Sequence, residues 1–122
     1  EVDATYLQLV AELANAGLTY VHLVDHAAMG NPAIPAEFKA ALRKAWPRTF
    51  IIGGSFDVVS AKAAVDAGEA DLVGFGRAFI ANPDLVTRLQ KGLDVAAPDF
   101  AAFYTPGEAG YTDYPVAAAE TV

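Results

Sequence analysis

Apolar residues in the first part of the chain recur with two different periods. Those of the first segment follow the three- and four-residue spacing of one buried helix face: Leu7, Val10, Ala11 and Ala14. This spacing predicts a helix that Asp3 caps, that extends to about Asn15 and that ends before Gly17. The run from Tyr20 to Val24 is instead rich in β-branched and aromatic residues, which predicts a strand.

Strand and helix patterns continue to alternate as far as Gly92. The further predicted elements are a loop over 25–35, a helix over 36–45, a strand over 49–53, a helix from Asp57 or Ser60 to about residue 67, a strand over 72–75 and a helix that Asn82-Pro83-Asp84 begins and Gly92 ends. Residues 93–122 are loop-rich. Strands that alternate with helices favour an α/β fold with a parallel sheet. Three strands are too few to close a barrel, so two sheet edges are left for a partner to cover.

The second and third predicted strands both end in glycine turns, Gly53-Gly54-Ser55 and Gly74-Phe75-Gly76-Arg77, and a helix pattern follows each one. Because glycine has no Cβ, backbone N–H groups there can approach a ligand closely. A helix N-terminus adds partial positive charge, and Arg77 adds a planar fork of donors that suits phosphate. Parallel strands end at the same edge of a sheet, so the two turns predict a phosphate site. Such a site recurs after the last two strands of (β/α)8 barrels.

Composition narrows the possible partners. A hydrophobic fraction of 54% is high for 122 residues, which indicates that part of the apolar surface meets another polypeptide. The net charge of −7 argues against nucleic acid or an anionic membrane as a partner. The absence of cysteine excludes disulfides and thiolate metal sites, and we expect no metal and a cytoplasmic protein. The chain opens on Glu1 without a signal or transmembrane pattern, which we interpret as the interior of a longer protein.

Five segments carry more specific motifs: VHLVD (21–25), IGGSF (52–56), GFGRAFIANPDL (74–85), FYTPG (103–107) and GYTDYP (110–115). Together they resemble the C-terminal third of the Old Yellow Enzyme family, over nearly the whole chain. Members of that family are FMN-dependent (β/α)8 TIM barrels that reduce activated alkenes, such as enones, with electrons from NAD(P)H. The resemblance implies that residues 1–92 supply strands six to eight of such a barrel and that residues 93–122 form a tail packed on it.

The resemblance also implies roles for individual residues. The backbone of Gly53, Gly54 and Ser55 would hold the FMN phosphate on one side, and Gly76 and Arg77 would hold it on the other. The family often has Gly-Ala or Gly-Asn where this chain has Gly54-Ser55. A further family position, a tyrosine that overhangs the substrate cavity beside the flavin, corresponds to Tyr104.

The catalytic residues of the family lie in earlier strands, upstream of Glu1. They are a His/His or His/Asn pair for the substrate carbonyl, a tyrosine proton donor and the residues that tune the flavin. Neither His22 nor His26 matches that pair, so the resemblance implies no catalytic residue in this chain. Activity would then require a second polypeptide that carries the N-terminal strands, together with a small-molecule alkene substrate.

The residues themselves leave two other functions open. One is a non-catalytic half-barrel module that pairs its own sheet edges, and the other is a different phosphate-binding barrel, such as an aldolase or isomerase. The lysines all lie in predicted helices rather than at strand ends, which weighs against a Schiff-base aldolase: Lys39, Lys44, Lys62 and Lys91. We expect His22 to be a packed strand residue, Asp57 to cap a helix and Asp25 to pair with a neighbouring loop.

Overall fold

Helices and strands alternate along the computed structural model, which describes residues 1–117. The elements are α1 (Val2–Asn15), β1 (Tyr20–Val24), α2 (Ala36–Ala45), β2 (Thr49–Gly53), α3 (Val58–Asp66), β3 (Leu72–Gly74), α4 (Arg77–Ala81) and α5 (Leu85–Lys91). Single 3-10 turns occupy Ala27–Met29 and Phe100–Ala102. The predicted order is confirmed, except that a short helix without predicted bounds, α4, precedes the last predicted helix, α5, and that β3 ends at Gly74 rather than at Phe75.

The chain forms two compact units, one over Glu1–Gly74 and a second that begins at Phe75. The first unit contains the sheet, whose strands are all parallel and lie in the order β1-β2-β3. The register aligns Val24 with Gly53, and Gly53 with Gly74. The carboxyl ends of β2 and β3 therefore lie side by side, as the glycine pattern predicted.

The two faces of this sheet differ in burial. One face packs on the helices, and the buried residues of this core are Val10, Leu42, Trp46, Phe50, Ile52, Ala64 and Ala70. By strand alternation and register, the opposite face carries Tyr20, His22, Val24, Thr49, Ile51, Gly53, Leu72 and Gly74, and we call it the open face. Tyr20, Val24 and Leu72 on the open face are 57%, 42% and 53% exposed. Apart from His22 and Thr49, the strand residues are nevertheless apolar or glycine, which is typical of strands covered on both faces.

The N-terminal ends of the strands are held by hydrogen bonds within the chain. The Asp71 carboxylate accepts a bond from the Phe50 amide at 2.8 Å and two from the Arg43 guanidinium at 2.7 and 2.9 Å. These contacts, the Arg43 bonds first, hold the pKa of Asp71 below its usual range. Nearby, the Arg48 guanidinium binds the Ala14 carbonyl, and the Trp46 indole N–H binds the Thr49 carbonyl at 2.8 Å. This end of the sheet is thus fixed by its own polar groups.

The helix ends differ in how well the sequence predicted them. Asp57 caps α3 as expected: its carboxylate accepts from the Ser60 amide at 2.8 Å, and the Ser60 hydroxyl accepts from the Asp57 amide at 3.0 Å. The predicted cap at Asp3 is wrong, because the helix already begins at Val2 with Glu1 in the cap position and Asp3 inside the first turn. The Thr5 amide bonds to the Glu1 carbonyl, which starts the backbone ladder before Asp3.

In the second unit, Asn82 is a buried residue bound to backbone rather than the predicted first residue of the last helix, whose cap is Asp84. Helix α5 begins at Leu85 with Asp84 in the cap position, so Pro83 precedes the helix. The fully buried Asn82 side chain donates to the Ala78 carbonyl at 2.8 Å and exchanges two 2.9 Å bonds with the Ala96 backbone. The prediction failed because a buried Asn can use all its polar atoms on distant backbone, which its neighbours in the sequence do not reveal.

An ion pair on α5 holds the segment that follows this helix. Asp84 accepts from the Arg88 guanidinium at 2.8 Å and from the Ala117 amide at 2.8 Å. Arg88 also donates to the Asp94 and Pro115 carbonyls, at 2.7 and 3.2 Å. The loop-rich tail is therefore tied to α5 by side-chain bonds instead of by regular structure. None of the helices in residues 1–117 has the length and apolar character that crossing a bilayer requires.

Candidate functional site

The turn after β2 is shaped by close contact with the chain that leaves β1. Gly54 has a φ of +135°, and a Cβ at this position would lie 2.6 Å from the Asp25 carbonyl oxygen and 3.0 Å from the Asp25 Cβ. The Asp25 amide also donates to the Gly53 carbonyl at 2.9 Å. Only glycine satisfies both the backbone angle and this separation. The turn is therefore fixed in place by β1 and its loop.

Ser55, the next residue, adopts a left-handed backbone conformation with a φ of +57°. Among residues 1–117 it is the only non-glycine residue with a positive φ. Such a conformation is strained for serine, and strain of this kind persists where the surrounding structure imposes it, often beside a ligand. The backbone at 54 and 55 thus combines two unusual conformations at the carboxyl end of the sheet.

Gly53 and Gly74 lie directly opposite each other, and the His22 imidazole lies over both. A Cβ on Gly53 would be 2.9 Å from His22 Nε2, and a Cβ on Gly74 would be 3.1 Å from the same nitrogen. The missing side chains at these two positions therefore make room for the ring. Sequence reasoning did not find this contact, because nothing in the local sequence connects His22 with glycines in two other strands.

Asp25 organises the loop between β1 and α2. Its carboxylate accepts from the Ala27 amide at 3.0 Å and the Ile34 amide at 3.3 Å, and it pairs with the Lys39 ammonium at 2.7 Å. The bond from Lys39 is the main reason why the pKa of Asp25 is lowered. The expected pairing of Asp25 with a neighbouring loop is confirmed, and Lys39 is an additional partner. One residue thus links this loop, α2 and the turn at Gly54.

The two helices after the glycine turns differ at their N-termini. Helix α3 begins after Asp57, whose carboxylate binds the Ser60 amide, and this bond lowers the pKa of Asp57. The N-terminus of α3 is thus capped by the chain's own carboxylate. In the second unit, Gly76 is the cap residue of α4, and a Cβ there would meet no atom of the described residues within 4 Å. Arg77, the first residue of α4, is half-buried.

Tyr104 lies in the second unit, in a short aromatic cluster. The Phe103 and Tyr104 rings are 6.4 Å apart and nearly perpendicular, and Phe100 and Phe103 are 4.9 Å apart. Although its ring lies edge-on to that of Phe103, the Tyr104 side chain is 98% exposed. Its ring is thus available for contact with another group.

Comparison with known proteins places these features in a family. A family model described as "NADH:flavin oxidoreductase / NADH oxidase family" matches residues 3–96. A chanoclavine-I aldehyde reductase from Penicillium roqueforti (strain FM164) is 43% identical over 115 residues, which cover 87% of this chain and 31% of that protein. A Leishmania infantum protein whose name assigns it to the flavin mononucleotide-dependent alkene reductases is 48% identical over 73 residues, which cover 60% of this chain and 20% of that protein.

A solved structure of morphinone reductase in complex with tetrahydroNAD is similar with a TM-score of 0.85 and 37% identity, over 95% of this chain and 31% of that one. The matched segments thus span 20% to 31% of the length of these three proteins. FMN and NAD(P)H, the cofactors that the resemblance implied, are confirmed at the level of the family by these names. The match over residues 3–96 shows that the chain belongs to the NADH:flavin oxidoreductase / NADH oxidase family, which is the family that its motifs identified as Old Yellow Enzyme.

Proposed function

We propose that this chain is the FMN-phosphate-binding C-terminal portion of an NAD(P)H-dependent ene-reductase. In this proposal β1, β2 and β3 are strands six to eight of a (β/α)8 barrel. The observation that carries it is the pairing of Gly53 with Gly74, which sets two glycine turns at adjacent strand ends of a parallel sheet. Sites of (β/α)8 enzymes lie at this carboxyl edge, and phosphate is often held after the last two strands.

The residues present fit the phosphate group of FMN. At Gly54 the absent Cβ and the φ of +135° let the backbone turn sharply beside Asp25, and Ser55 continues the turn in a left-handed conformation. Gly76 adds a second stretch of backbone that no Cβ covers, and the Arg77 guanidinium supplies charge and paired donors. We assign Gly53, Gly54, Ser55, Gly76 and Arg77 to this anchor, and Tyr104 to the substrate cavity.

The groups that this chain contains suit binding of the cofactor rather than reaction with the substrate. FMN, when bound, supplies hydride transfer from NAD(P)H to the β-carbon of an electron-poor alkene. This chain would bind and orient the cofactor, and Asp25 would keep the neighbouring loop in position through Ala27, Ile34 and Lys39. The groups that bind the substrate carbonyl and deliver the proton belong to the portion of the enzyme that carries the earlier strands.

The exposed face and edges of the sheet also favour a second segment that carries the earlier strands. Tyr20, Val24 and Leu72 leave much of the open face in water, and each of the two outer strands pairs on one side only within residues 1–117. Covering the apolar face and the strand edges would stabilise the fold. We infer that a second polypeptide segment with the N-terminal strands performs this role.

The test is the affinity of the assembled flavoprotein for FMN. Arg77→Ala is expected to weaken FMN binding by at least about tenfold, because charge-assisted bonds to phosphate are among the stronger hydrogen bonds. Lys91→Ala is the matched control, since it removes an exposed cation from the same unit at the end of α5. Equal FMN affinity in Arg77→Ala, Lys91→Ala and the unmodified protein would rule out the anchor.

A further inference from the structure

His22 is a polar residue in the middle of β1 on the open face, and its ring reaches toward the carboxyl end of the sheet. Its strand neighbours on that face, Tyr20 and Val24, are aromatic and aliphatic. The ring of His22 leans across two strands, so that Nε2 would be 2.9 Å from a Cβ on Gly53 and 3.1 Å from one on Gly74. The imidazole thus lies on the last paired residues before both glycine turns.

No hydrogen bond within residues 1–117 involves this imidazole, and His22 is exposed. The surrounding open face is largely apolar, with Ile51 and Leu72 in the register positions nearest to it. Once that face is covered, as the proposed function requires, an imidazole without a partner would lose its bonds to water. Such a loss is costly, so a buried polar group nearly always has a partner.

The nearest features built for a polar ligand are the two glycine turns themselves. Gly53 continues directly into Gly54 and Ser55, and Gly74 continues into Phe75 and Gly76. A neutral imidazole has one N–H donor, and a protonated one has two donors and a positive charge. Either form suits the oxygen atoms of a ribityl phosphate, while neither suits the aliphatic side chains around it.

We propose that His22 is a further FMN-binding residue, whose imidazole donates a hydrogen bond to the phosphate end of the cofactor and whose ring lies where a Cβ at position 53 or 74 would crowd it. This inference rests on the proposed function. It assigns His22 a ligand, where its position in the strand alone predicted a packed residue. It also gives Gly53 and Gly74 a second role, which is to admit the ring.

The first test compares FMN dissociation constants, measured by quenching of flavin fluorescence, in variants of the assembled protein. His22→Ala is expected to weaken FMN binding about tenfold, and His22→Gln, which keeps an N–H donor at a similar reach, is expected to restore most of the affinity. Tyr20→Ala is the control for packing, since it lies two residues earlier on the same face. It is expected to lower the stability of the apoprotein and to leave the dissociation constant within about twofold.

The second test uses NMR of the imidazole nitrogens during FMN titration, which reports a new hydrogen bond at the ring that packing alone would not produce. Gly53→Ala is expected to weaken FMN binding or folding, and adding His22→Ala to the same variant is expected to relieve the crowding between the new Cβ and the imidazole.

If His22→Ala binds FMN normally while Arg77→Ala does not, the proposed function stands and His22 is only a packing residue. If no variant, nor the unmodified protein, binds FMN, both proposals are wrong.

Discussion

Close contacts inside the first unit account for three glycines that also suit a ligand site. Gly54 makes room for the Asp25 backbone, and Gly53 and Gly74 make room for the His22 ring. At Gly54 the fold requires glycine before any cofactor binds, because a Cβ would meet the Asp25 backbone, whereas at Gly53 and Gly74 the missing Cβ gives room to the end of the His22 side chain. The same absence of side chains exposes backbone at the strand ends, so one choice of residue serves both packing and binding.

Gly54→Ala is expected to destabilise the first unit by about 2–3 kcal/mol, because the new Cβ meets backbone atoms that cannot move aside and the φ is strained for alanine. The measurement is urea unfolding of the assembled apoprotein. Gly68→Ala is the matched control: Gly68 has a φ of +73°, but a Cβ there would meet nothing within 4 Å. The control is expected to lose only about 1 kcal/mol. Equal losses would contradict the importance of the Asp25 contact.

Acid is expected to weaken the Asp71–Arg43 contact. The folded-state pKa of Asp71 lies below its ordinary value of 3.8. The carboxylate therefore adds stability that is fully present above the unfolded pKa and is lost as the pH falls through the lower, folded pKa. Stability measured between pH 6 and pH 2, as rough limits around that range, should fall less steeply in Asp71→Asn and in Arg43→Gln than in the unmodified protein. An unchanged acid dependence in both variants would contradict this assignment.

At the scale of elements, side chains that bind backbone determine where helices and the tail lie. Asp57 with Ser60 fixes the start of α3, and Arg88 with Asp84 fixes residues near Ala117. Asn82 performs the same task between α4 and Ala96. The loop-rich segment after α5 thus depends on side-chain hydrogen bonds instead of the backbone hydrogen bonds of a helix or strand.

Asn82→Ala is expected to cost about 2–3 kcal/mol, because it removes a fully buried side chain and its hydrogen bonds to the Ala78 and Ala96 backbone. Urea unfolding, together with the rate of proteolysis within residues 93–117, measures the effect. Asn31→Ala is the comparison, since the exposed Asn31 side chain makes a single 3.4 Å bond to the His26 carbonyl. That variant should change stability by less than about 0.5 kcal/mol. A comparable loss in both variants would contradict this role of Asn82.

The features that sequence predicts well here are those that depend on near neighbours. The bounds of β1, α2 and β2 follow from local apolar runs and from the prolines and glycines around them. Contacts between distant residues were missed, including Arg43 with Asp71 and His22 with Gly74. Each depends on which strand lies beside which, and that arrangement is set by packing of the whole sheet. The role of Asn82 was missed for the same reason, since its partner Ala96 lies in the tail.

At the scale of the molecule, the open face and the strand edges indicate a larger assembly. The chain spans about a third of its relatives, and the apolar residues Tyr20, Val24 and Leu72 remain exposed. A covered face would explain why the strand residues on both faces are largely apolar.

Native mass spectrometry of the purified protein is expected to detect the 12.8 kDa chain together with a larger polypeptide and one FMN. Reduction with NADH or NADPH should then bleach the flavin absorbance, and an enone should restore it. A lone or self-paired chain without flavin would contradict the ene-reductase proposal and favour a half-barrel module that pairs its own edges.

The parallel direction of all three strands has a kinetic consequence. A strand that joins β1 or β3 in parallel cannot reach it through a two-residue hairpin, because a parallel connection has to cross back along the sheet. Pairings of this kind join residues that are far apart in sequence or in separate chains, and they form slowly. Completion of the sheet is therefore expected to be the slow step of folding. Until that step is complete, the apolar residues of the open face stay exposed and can associate with those of another copy of the chain.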